Sequence, residues 1–181
     1  MINDKMKVVI VVTNVTNVII VTIVIIVTNA NPPNTHTHMK NNRKTIGIRN
    51  NNPCNIKHSS ANSWAGQIGS NRNFCVFSSP LYGLRAAFVL IRNYYMKHRL
   101  RTVSEIISRW APDGSCIERN YARFVAQGCG ITPTEKINPD DEDFMVAFVK
   151  GMVTFENGTC PYDDALMRSA YRSARNGTLR V

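Results

Sequence analysis

The stretch from Ile46 to Gly66, IGIRNNNPCNIKHSSANSWAG, constrains this chain more than any other. Its Asn50-Asn51-Asn52-Pro53 run favours neither helix nor strand. Each Asn side chain can hydrogen-bond nearby backbone and tolerates left-handed dihedrals, and Pro53 pushes Asn52 toward an extended conformation. The expected product is a rigid polar turn presenting amide donors and acceptors at one spot, with Trp64 adding an aromatic face. Rings and amides together suit a carbohydrate, which offers hydroxyls and N-acetyl groups. The plainer alternative is a well-made loop that only caps a core.

Downstream of this turn the pattern is helical. Asn73–Ser78 (NFCVFS) is short and β-prone and reads as one strand or an extended crossing. Ser79-Pro80 then starts a helix, with Ser as cap and Pro in the first turn. Leu81, Leu84, Phe88, Ile91 and Tyr95 recur at three and four, so 80–98 is amphipathic. Thr102-Val-Ser-Glu105 is a capping box that opens a short helix ending before Pro112, and Ser115-Cys-Ile-Glu118 is a second. The helix after Ser115 is expected to bury Ile117, Tyr121, Phe124 and Val125. Asn138-Pro139 with four acids behind it starts another, whose core face is Phe144, Phe148, Met152 and Phe155 and whose end is Glu156-Asn157-Gly158. Pro161 opens the last, with Leu166 and Ala170 inward. Five helices, little strand and short connections describe a small, mainly α domain over 46–177.

Ahead of that domain, Val8–Val27 is 20 residues without a charge, 15 of them Val or Ile. That length spans a bilayer core as a helix, so 1–28 reads as a transmembrane anchor. A cleaved signal, using Thr28 and Ala30 as the small-residue pair, is an alternative. So is a natural start at Met39, which would leave a poorly constrained extension upstream. Residues 29–45, rich in Asn, Thr, Pro and His, read as a linker.

The balance of 22 basic against 12 acidic residues gives a net charge of +10. Such a chain is attracted to polyanions: an envelope polymer, a membrane surface or nucleic acid. Nucleic acid is argued by charge alone, since no binding motif accompanies it. Five cysteines form no CxxC and no Cys/His ligand spacing, so no metal site is expected, nor any organic cofactor. Being odd in number, they leave at least one thiol free or paired between chains. A nucleophilic pair of Cys54 with His58 or His98 has no base or orienting group placed for it.

Glu156 is the carboxylate to single out. In a helix's last turn, the negative end of the dipole opposes a second negative charge, and Val153 and Phe155 make the neighbourhood apolar. Both effects raise a carboxyl's pKa, as a general acid at a glycosidic oxygen requires. The alternative is an exposed helix-terminal Glu of no consequence. The acids at 140–143 are explained by the dipole, Glu105 and Glu118 by their capping boxes, and Asp163 and Asp164 by the start of the last helix.

The segments GIRNNNPCNIK, Trp64-Ala65-Gly66, FCVFSSPLYGLRAA, TVSEIISRWAP, Asn120-Tyr121-Ala122 and FENG followed by Pro161-Tyr162 resemble a bacteriophage and prophage family. Its members open with GIRNNNPGNI and are labelled virion structural proteins. The likeness covers about 46–175; Cys54 stands where the family has Gly, and Leu81 where an acid is usual. The order Asn-Asn, Ile-Lys, Trp-x-Gly, Phe-x-Val-Phe-x-Ser-Pro, Tyr-Ala is also similar to the bacterial glucosaminidase branch of the lysozyme-like superfamily. That similarity implies peptidoglycan cleavage by a Glu at the end of a helix lying before the Asn motif. Here the only acid upstream is Asp4. A permuted order of elements would put Glu156 in that role, with Asn51, Asn52, Asn55, Trp64 and Tyr121 lining the sugar groove.

The resulting expectation is a lysozyme-like helical domain, virion- or membrane-associated, that binds or degrades peptidoglycan. The second reading is a non-catalytic virion membrane protein that touches wall, capsid or genome.

Overall fold

The computed structural model describes residues 5–15, 18–28, 44–112 and 114–176, in two compact units divided between Asn42 and Arg43. In the first unit, β1 (Lys5–Val15) pairs antiparallel with β2 (Val18–Thr28), in a register running from Lys5 opposite Thr28 to Val15 opposite Val18. This differs from the expected helical span. Val and Ile branch at Cβ, lose side-chain freedom in a helix and fit a pleated ribbon better. No described helix is long and apolar enough to cross a membrane. The linker over 29–43, the Ala30 cleavage position and the alternative start at Met39 lie outside the described residues.

The second unit is mainly helical, as expected. A one-turn helix α1 (Ile46–Arg49) leads into the Asn-rich turn. The hairpin β3 (Gln67–Asn71) and β4 (Phe74–Phe77) follows, its tip at Arg72 and Asn73 both in left-handed conformation. Then come α2 (Pro80–Met96), α3 (Val103–Trp110), α4 (Cys116–Gly128), α5 (Glu142–Asn157) and α6 (Asp164–Asn176). The sequence marks β4 but not its partner β3, where only Gln67 is even partly covered and the strand lacks an apolar face.

The helix boundaries follow local chemistry. Thr102 Oγ1 accepts from Glu105 N–H at 3.2 Å while Glu105 Oε2 accepts from Thr102 N–H at 2.9 Å, the reciprocal box that starts α3. α5 starts later than Asn138-Pro139 suggests. Asn138 instead holds a turn, its side chain accepting from Asp140 N–H, and Asp141 is the cap, accepting from Phe144 N–H at 3.0 Å. Gly158, at φ 75°, closes α5 in the left-handed region where only Gly is unstrained.

The core joins Leu84, Phe88 and Ile91 of α2, Ile106 and Ile107 of α3, Met145, Phe148 and Met152 of α5 and Met167 of α6, all essentially inaccessible. Each contributes about 1.5–3 kcal/mol of burial before the entropy cost of ordering. α2 lies along α6, and α5 packs between α4 and α6. On α4 the structure corrects the expected face. Tyr121 and Val125 are buried with Ala122 and Ala126, whereas Ile117 is 59% and Phe124 44% exposed.

Candidate functional site

The Asn-rich turn is built to grip three other elements at once. Asn51 and Asn55 take left-handed dihedrals, φ 51° and 53°, which Asn tolerates better than other side chains. Asn52 is fully buried; its Nδ2 donates to Ile56 O at 2.9 Å and Cys75 O at 3.0 Å, and its Oδ1 accepts from Ile56 N–H at 2.9 Å. Asn51 Nδ2 donates to Phe77 O at 3.0 Å. These bonds fix the turn to β4. A Cβ on Gly83 would lie 1.9 Å from Asn51 O, so α2 reaches the turn only because position 83 is Gly.

The third grip is on the C-terminus of α5. Asn157 Nδ2 donates to Pro53 O at 2.7 Å and to Val153 O at 2.8 Å, and its Oδ1 accepts from the Thr45 hydroxyl. A Cβ on Gly47 would come within 2.8 Å of both Asn157 Oδ1 and Asn55 Oδ1. The result is that residues about a hundred positions apart are locked together. Beside that clamp, Asn55 Nδ2 donates to Glu156 Oε2 at 2.9 Å.

Glu156 is half-buried. Burial raises its pKa above the usual carboxylate range, and the hydrogen bond from Asn55 and the nearby Tyr121 hydroxyl only partly oppose that. The Tyr121 ring stacks on Phe155 with centroids 4.0 Å apart. Its hydroxyl has no normal hydrogen-bond partner, yet lies close enough to perturb the carboxylate. Cys54 sits behind the site, fully buried; burial first and the Glu156 charge second push its thiol well up. A thiol so held is not a nucleophile.

Glu156 and Asn55 open onto a depression of about 290 Å³ lined also by Lys57, Phe74, Trp110 and Pro112. A second depression of about 320 Å³ shares Asn55, Lys57, Trp110 and Pro112 and extends to Asn62, Trp64, Tyr94 and Arg109. The two are adjoining parts of one trough. Another hollow, of about 410 Å³ between α4 and α5, is lined by Phe124, Lys150 and Thr154 and does not include Glu156.

Of the six residues singled out from sequence, Glu156 and Asn55 meet on the trough surface. Trp64 is 4% exposed and reaches only the far depression, with its indole N–H unpartnered. Asn51, Asn52 and Tyr121 do not line the trough; Asn52 and Tyr121 lie buried behind it, where the first holds the turn and the second backs the carboxylate. A half-buried ring, Trp110 at the end of α3, lines both depressions while it packs against the core cluster. Its place in Trp-Ala-Pro, at a helix end, was the available signal for a half-exposed ring. Lys57, Phe74 and Arg109 carried none. Among the described residues no group of His, Cys, Asp and Glu could hold a metal ion.

No family model matches the chain. Over 125 residues it is 38% identical to Protein P5 of Pseudoalteromonas phage PM2, an alignment that covers 67% of this chain and 76% of that protein. The chain belongs to the family of that bacteriophage protein.

Proposed function

We propose that the chain is a virion-associated bacteriophage protein whose helical domain cleaves glycosidic bonds of the bacterial wall, with Glu156 as general acid. The observation that carries this reading is the Asn55–Glu156 contact at 2.9 Å, on a half-buried carboxyl with a raised pKa, at the edge of a trough walled by Trp110. A protonated Glu156 delivers its proton to the leaving glycosidic oxygen, while Asn55 fixes the rotamer of the carboxyl. Among the described residues lining the trough, Glu156 is the only carboxylate. Charge at the anomeric carbon is then met by the substrate's own N-acetyl oxygen or by a directed water, and not by a glycosyl-enzyme ester. The chain's net charge of +10 draws it to an anionic wall, with binding that weakens in salt.

The kinship with a phage protein favours a second reading, in which the domain is a non-catalytic virion component and the Asn-rich turn serves only to join β4, α2 and α5. Membrane association through residues 1–28 belongs to either reading. The test is clearing of purified sacculi by the full chain and by its Glu156→Gln variant. Clearing by the first and not the second supports the enzyme. No clearing by either leaves the non-catalytic component.

A further inference from the structure

The far half of the trough differs in character from the half at Glu156. Lys57 stands where the two depressions join, and Arg109 stands beyond it. Neither is held in an ion pair among the described residues. No described acidic side chain lines this half. Arg109 lies against the Tyr94 hydroxyl, and the Tyr94 ring meets Trp110 edge-on with centroids 6.3 Å apart. Trp64, at the base of this half, keeps a buried N–H with no acceptor.

Two exposed cations with no ion-pair partner among the described residues, beside half-buried rings, suit a ligand that is both a sugar and an anion. A pyranose lays its C–H face on Trp110, and a carboxylate hanging from the ring meets the planar donor fork of Arg109 and the ammonium of Lys57. A neutral polymer of N-acetylglucosamine would leave both cations unanswered. We propose that Lys57 and Arg109 form a carboxylate subsite that selects wall glycan stripped of its stem peptides, whose lactyl carboxylates are free, over the uncharged N-acetylglucosamine polymer. This rests on the wall-glycan reading above, but it concerns binding and not bond cleavage.

The experiment uses the full chain carrying Glu156→Gln, so that no turnover intervenes, and titrates two soluble probes of equal length by calorimetry at low salt. One probe is N-acetylglucosamine tetrasaccharide; the other is the alternating N-acetylglucosamine–N-acetylmuramic acid tetrasaccharide. The expected result is at least tenfold tighter binding of the muramic probe. In a chain that also carries Lys57→Gln and Arg109→Gln, this preference falls to within twofold, because the muramic probe loses more affinity than the neutral one. A melting temperature equal to that of the Glu156→Gln chain shows that the variant is folded. Equal affinities in the chain with Lys57 and Arg109 intact overturn the proposal, as does no binding of either probe or parallel weakening of both by the charge substitutions. Discrimination by a chain that clears no sacculi would retain the subsite and remove the glycosidase.

Discussion

At the N-terminus of α5, Glu142 receives hydrogen bonds from Arg172 at 2.7 and 2.9 Å and from Arg168 at 3.1 Å, and Arg168 also pairs with Asp143 at 2.6 Å. At the C-terminus of the same helix, Glu156 has no ion-pair partner among the described residues and takes its hydrogen bond from a neutral amide. The helix dipole favours the first arrangement and opposes the second. Burial adds to the contrast. Arg172 and Arg168 hold Glu142 below the usual carboxylate range, whereas desolvation holds Glu156 above it. One helix thus carries carboxylates that fasten α6 and a carboxyl with no ion-pair partner among the described residues. The second holds its proton to higher pH than the first.

The contrast depends first on the turn that holds Glu156 in place. Replacing Asn52 with Ala removes three hydrogen bonds at a fully buried site, and we expect a loss on the order of 3 kcal/mol in urea unfolding. A loss below about 1 kcal/mol would mean the turn is not the clamp described. Next in size is Asn157→Ala, which removes the bonds to Pro53 O and the Thr45 hydroxyl. We expect roughly 2 kcal/mol of destabilisation and, beyond that, loss of wall clearing at temperatures where the variant remains folded. Clearing that survives at the parent rate would show that Glu156 needs no such fixing.

The smallest effects sharpen the comparison most, because they have opposite signs. Glu142 has a depressed folded pKa, so its contribution to stability is present above the unfolded value and disappears as pH falls through the folded one. Glu142→Gln should therefore lower the melting temperature near pH 7, with the difference closing in acid. Glu156 has a raised folded pKa, so its ionised form costs stability once pH rises past the unfolded value, and the cost is complete above the folded one. Glu156→Gln should raise the melting temperature near pH 7, and this difference too should vanish in acid. Wall clearing, which needs the protonated acid, should fall as pH climbs through the raised pKa of Glu156. Melting curves of the two variants between pH 3 and 8 would show whether the signs differ; shifts in the same direction would erase the distinction between the helix ends.

Much of the helical unit is legible in the sequence because its signals are local. Thr102 and Glu105 state their capping box in four residues, and Asn157-Gly158 states the end of α5. The contact of Asn55 with Glu156 is not local; the sequence points to it only through one carboxylate at a helix end and an assumed permutation of elements. The rest depends on what covers what. Periodicity finds an apolar stripe on α4 but not which edge its neighbours cover, so it places Ile117 and Phe124 inward. Both tryptophans line the trough, and only packing decides that Trp64 is buried at its base while Trp110 is half-buried in its wall. The Val/Ile run at 8–27 satisfies the length rule for a membrane helix, yet its described parts, 8–15 and 18–27, pair as antiparallel strands, and pairing is not a local property.

The most direct measurement is mass spectrometry of soluble fragments released from purified peptidoglycan by the full chain. The account predicts glycan-cleaved muropeptides, with new reducing or anhydro ends, from the parent chain and at least a hundredfold fewer from Glu156→Gln. Intact glycan after incubation with the parent chain, or equal yields from both, would contradict it.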